Sequence, residues 1–195
     1  ERTTNPDGGD FHDQFIAITE LRKILPFNYN IVVKEHPSQL MSYNPRGARG
    51  RSALFYNLIK NISGVIIAKT SSNSFDLIKG SKFVSTITGS VALESAILGK
   101  PVLSFGSTYY DGCPNIINWD SGITFEKIIN TRLLSDKEIE EFLISKKRET
   151  SLIGFQNYSQ RNVFKDYDTN QFNKIQTKEL FTFLKNFFIN ENFYN

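Results

Sequence analysis

Short apolar runs alternate with segments of helical periodicity along the first half of the chain. Apolar residues recur at helical spacing between residues 11 and 25, which predicts a helix with Asp10 as its N-cap and Pro26 just past its end. The β-branched run at residues 31–34 predicts a strand. Three further strands are predicted over residues 64–68, 82–87 and 101–105, the first of them buried. The intervening helices are predicted to follow Ser52, the Ser/Thr loop at residues 69–73 and the turn at residues 88–90.

This alternation predicts the α/β class, with a Rossmann-like parallel sheet flanked by helices. In such sheets ligands bind beyond the carboxyl ends of the strands. Two more helices are predicted over residues 136–147 and 175–189, with a less regular region between them. We interpret residues 1–195 as one α/β domain with a C-terminal helix and tail at residues 175–195.

The turn Thr88-Gly89-Ser90 lies between a predicted strand and a predicted helix. Small residues at a helix start leave backbone N–H groups pointing outward at the positive end of the helix dipole, which suits a phosphate. Glu94 follows Ser90 by four residues and therefore falls one turn along the same helix face. A carboxylate behind a phosphate cradle suits the ribose hydroxyls of a nucleotide. The alternative is an ordinary N-cap followed by a solvated Glu94.

A second motif, Lys34-Glu35-His36-Pro37, directly follows the apolar run at residues 31–33. His36 falls at the carboxyl edge of the predicted sheet, where ligands bind, which makes it a site candidate. The alternatives are a hydrogen-bonded loop histidine and, for Lys34, a surface lysine at a strand end. The basic loop from Arg46 to Arg51 could reach an anionic ligand, but a solvated loop is the favoured interpretation.

The composition limits the possible classes of protein but does not indicate a function. The chain has 195 residues, 39% of them hydrophobic, and a net charge of +3, which is too mild to indicate nucleic-acid binding. One cysteine, Cys113, excludes an internal disulfide, and two histidines are too few for a His-rich metal centre. No apolar run is long enough to span a bilayer. The single cysteine agrees with a reducing cytoplasm, where we expect the protein, and we expect neither a metal nor a cofactor. The start at Glu1 is expected to reflect excision from a longer protein.

Several of these motifs together resemble a known family. Thr88-Gly89-Ser90 with Glu94 and the following Gly99-Lys100-Pro101-Val102 look like the nucleotide-binding half of GT-B glycosyltransferases. The Lys-Glu-His-Pro motif and the opening residues 1–9 are similar to the bacterial capsule polysaccharide biosynthesis family, which includes Kdo transferases. The resemblance covers residues 1–115 and implies the C-terminal, donor-binding half of a glycosyltransferase.

The resemblance also implies roles for individual residues. His36 would contact the donor phosphate and stabilise the leaving nucleotide, the backbone and hydroxyls of Thr88, Gly89 and Ser90 would hold the phosphate, and Glu94 would bind the ribose. Further donor contacts are implied for Lys34, Ser72, Thr3 and Thr4. The implied partners are a nucleotide sugar, with a CMP-sugar such as CMP-Kdo favoured, and a saccharide or glycolipid acceptor. An N-terminal GT-B domain would bind that acceptor, and the full-length protein could associate peripherally with the inner face of the membrane.

Three alternatives stay open. A CDP-glycerol-type glycerophosphotransferase also carries a His-Pro pair and a Ser-rich helix start. A non-hydrolysing nucleotide-sugar epimerase would need further His and acidic residues near the donor. A non-catalytic interaction module of a capsule assembly complex would use the apolar C-terminal segment at residues 180–194 as a docking surface.

Overall fold

The computed structural model describes residues 7–36 and 51–150. The chain divides into two compact units, Glu1–Leu143 and Ile144–Asn195. Strands β1 to β5 span Ile31–Val33, Val65–Ile67, Val84–Thr86, Val102–Ser104 and Ile116–Asn118. Helices α1 to α6 span Gln14–Ile24, Ala53–Lys60, Ser74–Gly80, Val91–Ile97, Phe125–Ile129 and Asp136–Thr150, and a 3-10 helix covers Gly9–His12.

The strands form two short parallel sheets. β1 pairs with β2, and Ile31 lies opposite Val65. The second sheet has the order β3-β4-β5, with Val102 paired to Val84 on one side and to Ile116 on the other. A helix separates β1 from β2, β2 from β3 and β3 from β4 along the chain. The predicted α/β class, with parallel strands flanked by helices, is confirmed, although the strands form two small sheets where one was predicted.

One apolar core links both sheets. Ala17 and Leu21 of α1 pack in the same cluster as Ile31 of β1 and Leu103 of β4. Full burial of an aliphatic side chain such as Leu103 is worth about 1.5–3 kcal/mol. α1 therefore ties the two sheets together through its buried face.

A second core cluster holds α4 on its strands. Ala92 and Ala96 are fully buried and pack with Val102, Cys113 and Tyr110. Small side chains on this face let α4 lie close to β4. The start of α4, where the predicted phosphate turn lies, is therefore set by close packing.

The start of the first helix differs from the prediction. Asp10 is not the N-cap, because it lies inside the 3-10 helix that precedes α1. Asp13 caps α1 instead, and its carboxylate accepts a hydrogen bond from the Phe15 N–H at 3.0 Å. The predicted end before Pro26 and the predicted cap at Ser52 are both confirmed.

The prediction that the strand at residues 64–68 is buried was wrong. Ile66 in β2 is 51% exposed, and its partner Val32 in β1 is 49% exposed. The described part of the chain covers only the other face of this pair, where Ile31 lies in the core. A continuous apolar run is typical of strands buried on both faces, and here one of those faces is open.

Two further elements, besides the 3-10 helix at Gly9–His12, were missed by the sequence reasoning. β5 is a two-isoleucine run between Asn115 and Asn118, which is too short to display a strand period. α5 has five residues and shows no full helical repeat, although Thr124 caps it through the Lys127 N–H. The predicted helix at residues 136–147 is confirmed as part of α6, whereas the one at residues 175–189 lies outside the described residues.

Candidate functional site

The turn between β3 and α4 is held from two sides. The Gly89 N–H donates to Thr86 Oγ1 at 3.2 Å, and the Gly89 carbonyl accepts from the hydroxyl of the buried Tyr110 at 2.9 Å. A Cβ at residue 89 would lie 2.8 Å from Thr86 Oγ1, closer than real Cβ contacts come. Glycine suits this position because any other residue would force the Thr86 side chain to shift.

Some backbone donors at this helix start are satisfied within the turn itself. The N–H groups of Ala92 and Leu93 donate to the carbonyls of Gly89 and Ser90 at 3.1 and 3.0 Å. The N–H groups of Ser90 and Val91 have no acceptor within residues 7–36 and 51–150. The first residues of α4 thus present two adjacent donors, the kind of group that binds a phosphate oxygen.

Ser90 and Glu94 interact across one helical turn, as their spacing predicts. The Ser90 hydroxyl donates to Glu94 Oε1 at 3.3 Å and does not cap the helix. Ser90 is exposed and Glu94 half-buried, so the carboxylate is accessible from the side of the turn. The hydroxyl predicted to face a phosphate is directed instead to the predicted ribose ligand.

The opening segment of the chain reaches this turn. The Asp7 carbonyl accepts a hydrogen bond from the Ser107 N–H at 2.9 Å, just after β4. A Cβ at Gly106 would lie 2.7 Å from that carbonyl and 2.8 Å from Thr88 Cγ2. Asp7, Thr88 and Gly106 therefore meet at the carboxyl ends of β3 and β4. The predicted donor contacts Thr3 and Thr4 lie outside the described residues, three and more positions before Asp7.

Lys34 lies at the carboxyl ends of β1 and β2. Its ammonium donates to the carbonyl of Thr70 at 3.1 Å and to that of Glu35 at 3.0 Å, which ties β1 to the loop after β2. Ser72 in the same loop is half-buried, and its N–H donates to the Lys69 carbonyl at 3.0 Å. His36 lies three residues after the end of β1 and is exposed.

A charged pair that the sequence reasoning did not single out lies beside His36. Glu35 Oε1 accepts from Arg51 Nε at 2.7 Å, and each side chain is only 11% exposed. Arg51 also donates to Gln14 at the start of α1. Burial and the nearby Glu35 carboxylate raise the pKa of Tyr56, whose hydroxyl lies 3.5 Å from that carboxylate. No periodicity could reveal the pair, because sixteen residues separate its members.

Residues 7–14 connect the two parts of the candidate site. Asp7 lies against Gly106, Phe11 packs on Phe105 with ring centroids 4.6 Å apart, and Gln14 accepts from Arg51. One short segment therefore contacts the carboxyl end of β4 and the side chains that follow β1. The segment thus lies near Gly106 and Thr88 at one end and contacts Arg51, the partner of Glu35, at the other.

Among residues 7–36 and 51–150 we find neither a cluster that could bind a metal ion nor a helix that could span a membrane. No three His, Cys, Asp or Glu side chains cluster there in a way that could bind a metal ion. No helix in that part of the chain is both long and apolar enough to cross a membrane. No protein-family model, curated protein or solved structure matches the chain.

Proposed function

We propose that this chain is the nucleotide-sugar-binding domain of a GT-B type glycosyltransferase, with a CMP-activated sugar as the favoured donor. The observation that carries the proposal is the Gly89 turn at the carboxyl end of β3. It is fixed by Thr86 and Tyr110 and presents the N–H groups of Ser90 and Val91 without an acceptor in the described chain. Ligands of parallel α/β sheets bind at this edge.

The geometry suggests how the nucleotide would bind. The donor phosphate would accept hydrogen bonds from the two N–H groups at the start of α4, which also carries the positive end of a helix dipole. Glu94 would exchange its hydrogen bond from Ser90 for one from a ribose hydroxyl. That exchange frees the Ser90 hydroxyl to turn toward the phosphate. Bound phosphate and Glu94 carry the same charge, so the ribose between them is needed for both to be accommodated.

In the proposed reaction the bond between the sugar's anomeric carbon and the phosphate oxygen breaks, and a bond to an acceptor hydroxyl forms. Negative charge develops on the departing phosphate. The N–H groups of Ser90 and Val91 and a proton donated by His36 would stabilise that charge. The acceptor hydroxyl loses its proton to a base that we do not assign to a residue of this chain.

Calorimetric titration of the purified chain with CMP, CDP, UDP and GDP tests the proposal. We expect selective binding of CMP. Glu94→Ala should bind CMP about ten- to 150-fold more weakly, because a hydrogen bond to a charged group is worth about 1.5–3 kcal/mol. His36→Ala is expected to weaken binding as well. Glu138→Gln, which removes an exposed ion pair with Arg132, is the matched control and should bind CMP like the wild type.

Other outcomes have definite meanings. Preference for CDP would favour a CDP-glycerol-type transferase, and preference for UDP or GDP would indicate a different sugar donor. Wild-type affinity in both site variants would contradict the assignment of the site. Failure of the folded chain to bind any of the four nucleotides would contradict the proposed function and favour an interaction module.

A further inference from the structure

The ion pair between Glu35 and Arg51 is unusually shielded from water for this protein. The Glu35 and Arg51 side chains are each 11% exposed, whereas those of Arg132 and Glu138 are 78% and 40% exposed. Removing two charges from water costs free energy that their mutual attraction only roughly repays. The pair therefore adds little to the stability of the fold. Because Glu35 precedes His36 in the chain, a role in orienting His36 explains the buried pair better.

Arg51 engages three different parts of the fold. Its Nε donates to Glu35 at 2.7 Å, and its terminal nitrogen donates to Gln14, the first residue of α1. The face of the guanidinium lies over the Phe55 ring in α2, 4.7 Å from the centroid. A planar guanidinium with fixed donor directions holds its partners in one geometry, which a lysine would not do. Glu35 is thereby held against the starts of both helices.

The backbone before Glu35 is held equally firmly. Val33 pairs with Ile67 in the sheet, and its carbonyl accepts from the Ala68 N–H at 2.9 Å. The Lys34 ammonium bridges to the Thr70 carbonyl. Fixed contacts thus continue from β1 through residue 35, and His36 is the next residue.

We propose that the Glu35–Arg51 pair is a positioning device that fixes the direction in which His36 leaves β1, and that binding of the nucleotide phosphate depends on it. This inference rests on the proposed function for the role of His36. Glu35 and Arg51 act through the backbone of His36, so they are positioning residues and not catalytic ones.

A double-mutant cycle with CMP as the probe tests this dependence. Glu35→Gln keeps the size of the side chain and removes its charge. In the otherwise wild-type chain it should raise the Kd for CMP about tenfold, within the range of coupling seen for residues in contact. In the His36→Ala background it should change the Kd by no more than about twofold, the usual error of additivity. Equal losses in both backgrounds would overturn the proposal, because Glu35 would then act without His36.

Two controls separate positioning from general loss of stability. Ile128→Val shortens a fully buried side chain elsewhere in the core and should lower stability while leaving CMP affinity unchanged. The variant Glu35→Gln with Arg51→Gln leaves no unpaired charge, so it serves if Glu35→Gln does not fold. It should show the same weakened binding.

Backbone relaxation of the His36 amide, measured by NMR without any ligand, tests the positioning itself. We expect an order parameter near about 0.85 in the wild type and below about 0.6 in Glu35→Gln. The amide of Ile128, a fully buried residue of α5, is the internal reference and should not change. An equally rigid His36 amide in both proteins would overturn the proposal. If the wild type does not bind CMP, the proposed function fails, and this relaxation measurement still decides whether the pair positions His36.

Discussion

Tyr110→Phe removes a single hydroxyl and thereby tests how the Gly89 turn is held. Tyr110 is fully buried, and its hydroxyl donates to the Gly89 carbonyl at 2.9 Å. The ring of phenylalanine fills the same space, so no cavity term adds to the loss. Deleting one partner of a hydrogen bond costs about 0.5–1.5 kcal/mol net, and more where the remaining partner is left without a donor. We therefore expect the free energy of unfolding to fall by about 1–2 kcal/mol.

Thermal unfolding followed by circular dichroism measures this loss. At about 2–4 °C per kcal/mol for a chain of this size, the midpoint should fall by about 2–8 °C. CMP binding should weaken as well, because the Gly89 carbonyl then keeps only its hydrogen bond from the Ala92 N–H, which holds the two donors at the start of α4 less firmly. Tyr109→Phe is the matched control, since Tyr109 is 66% exposed. If Tyr110→Phe unfolds and binds like the wild type, the turn does not depend on this hydrogen bond and the reasoning is refuted.

Three further predictions concern other parts of the structure. Gly64→Ala should lower the free energy of unfolding, measured by urea titration, by about 1–3 kcal/mol. Residue 64 has φ +75°, and a Cβ there would lie 2.9 Å from Arg22 Nη1. An unchanged urea midpoint would contradict this. Gly106→Ala should weaken CMP binding in calorimetry by pushing the opening segment away from the turn, and wild-type affinity would show that this contact is dispensable. Burial raises the pKa of the Cys113 thiol from 9.0 and that of the Tyr110 hydroxyl from 10.0. Both groups therefore lose their protons at a higher pH in the folded than in the unfolded state. Their contribution to the free energy of unfolding has its full value below about pH 9 and is lost as the pH rises further. Urea titrations from pH 7 upward should show this decline. Cys113→Ala should reduce the decline, and an equal slope in that variant would argue against the thiol.

The parallel α/β arrangement could be predicted because each early strand is a β-branched or apolar run bounded by clear loop residues. The caps illustrate the limit of such reasoning. Ser52 was predicted correctly because a helical pattern starts directly after it, whereas Asp10 and Asp13 both precede an apolar pattern. Asp10 lies inside the 3-10 helix at Gly9–His12, so that Asp13 caps α1, and the local spacing of residues does not predict this 3-10 helix.

The candidate site was predictable only where its parts are close in sequence. The Ser90–Glu94 contact follows from helical spacing, and its hydrogen bond confirms that geometry. The approach of Asp7 to Gly106 and the pairing of Glu35 with Arg51 depend on how distant segments fold together. Burial of β2 was mispredicted for a related reason, because an apolar run does not reveal whether both faces of a sheet are covered. The functional roles of His36, Ser90 and Glu94 stay predictions.

An NMR titration of the isotope-labelled chain with CMP tests the central claim most directly, because it reports the location of binding as well as its strength. Our account predicts that the amide signals of Ser90 and Val91 shift most, together with those of His36 and Glu94. Signals from the opposite edge of the sheets, such as Gly64, should not move. Binding that shifts other regions and leaves Ser90 and Val91 unchanged would contradict the account, and so would the absence of any shift at saturating CMP.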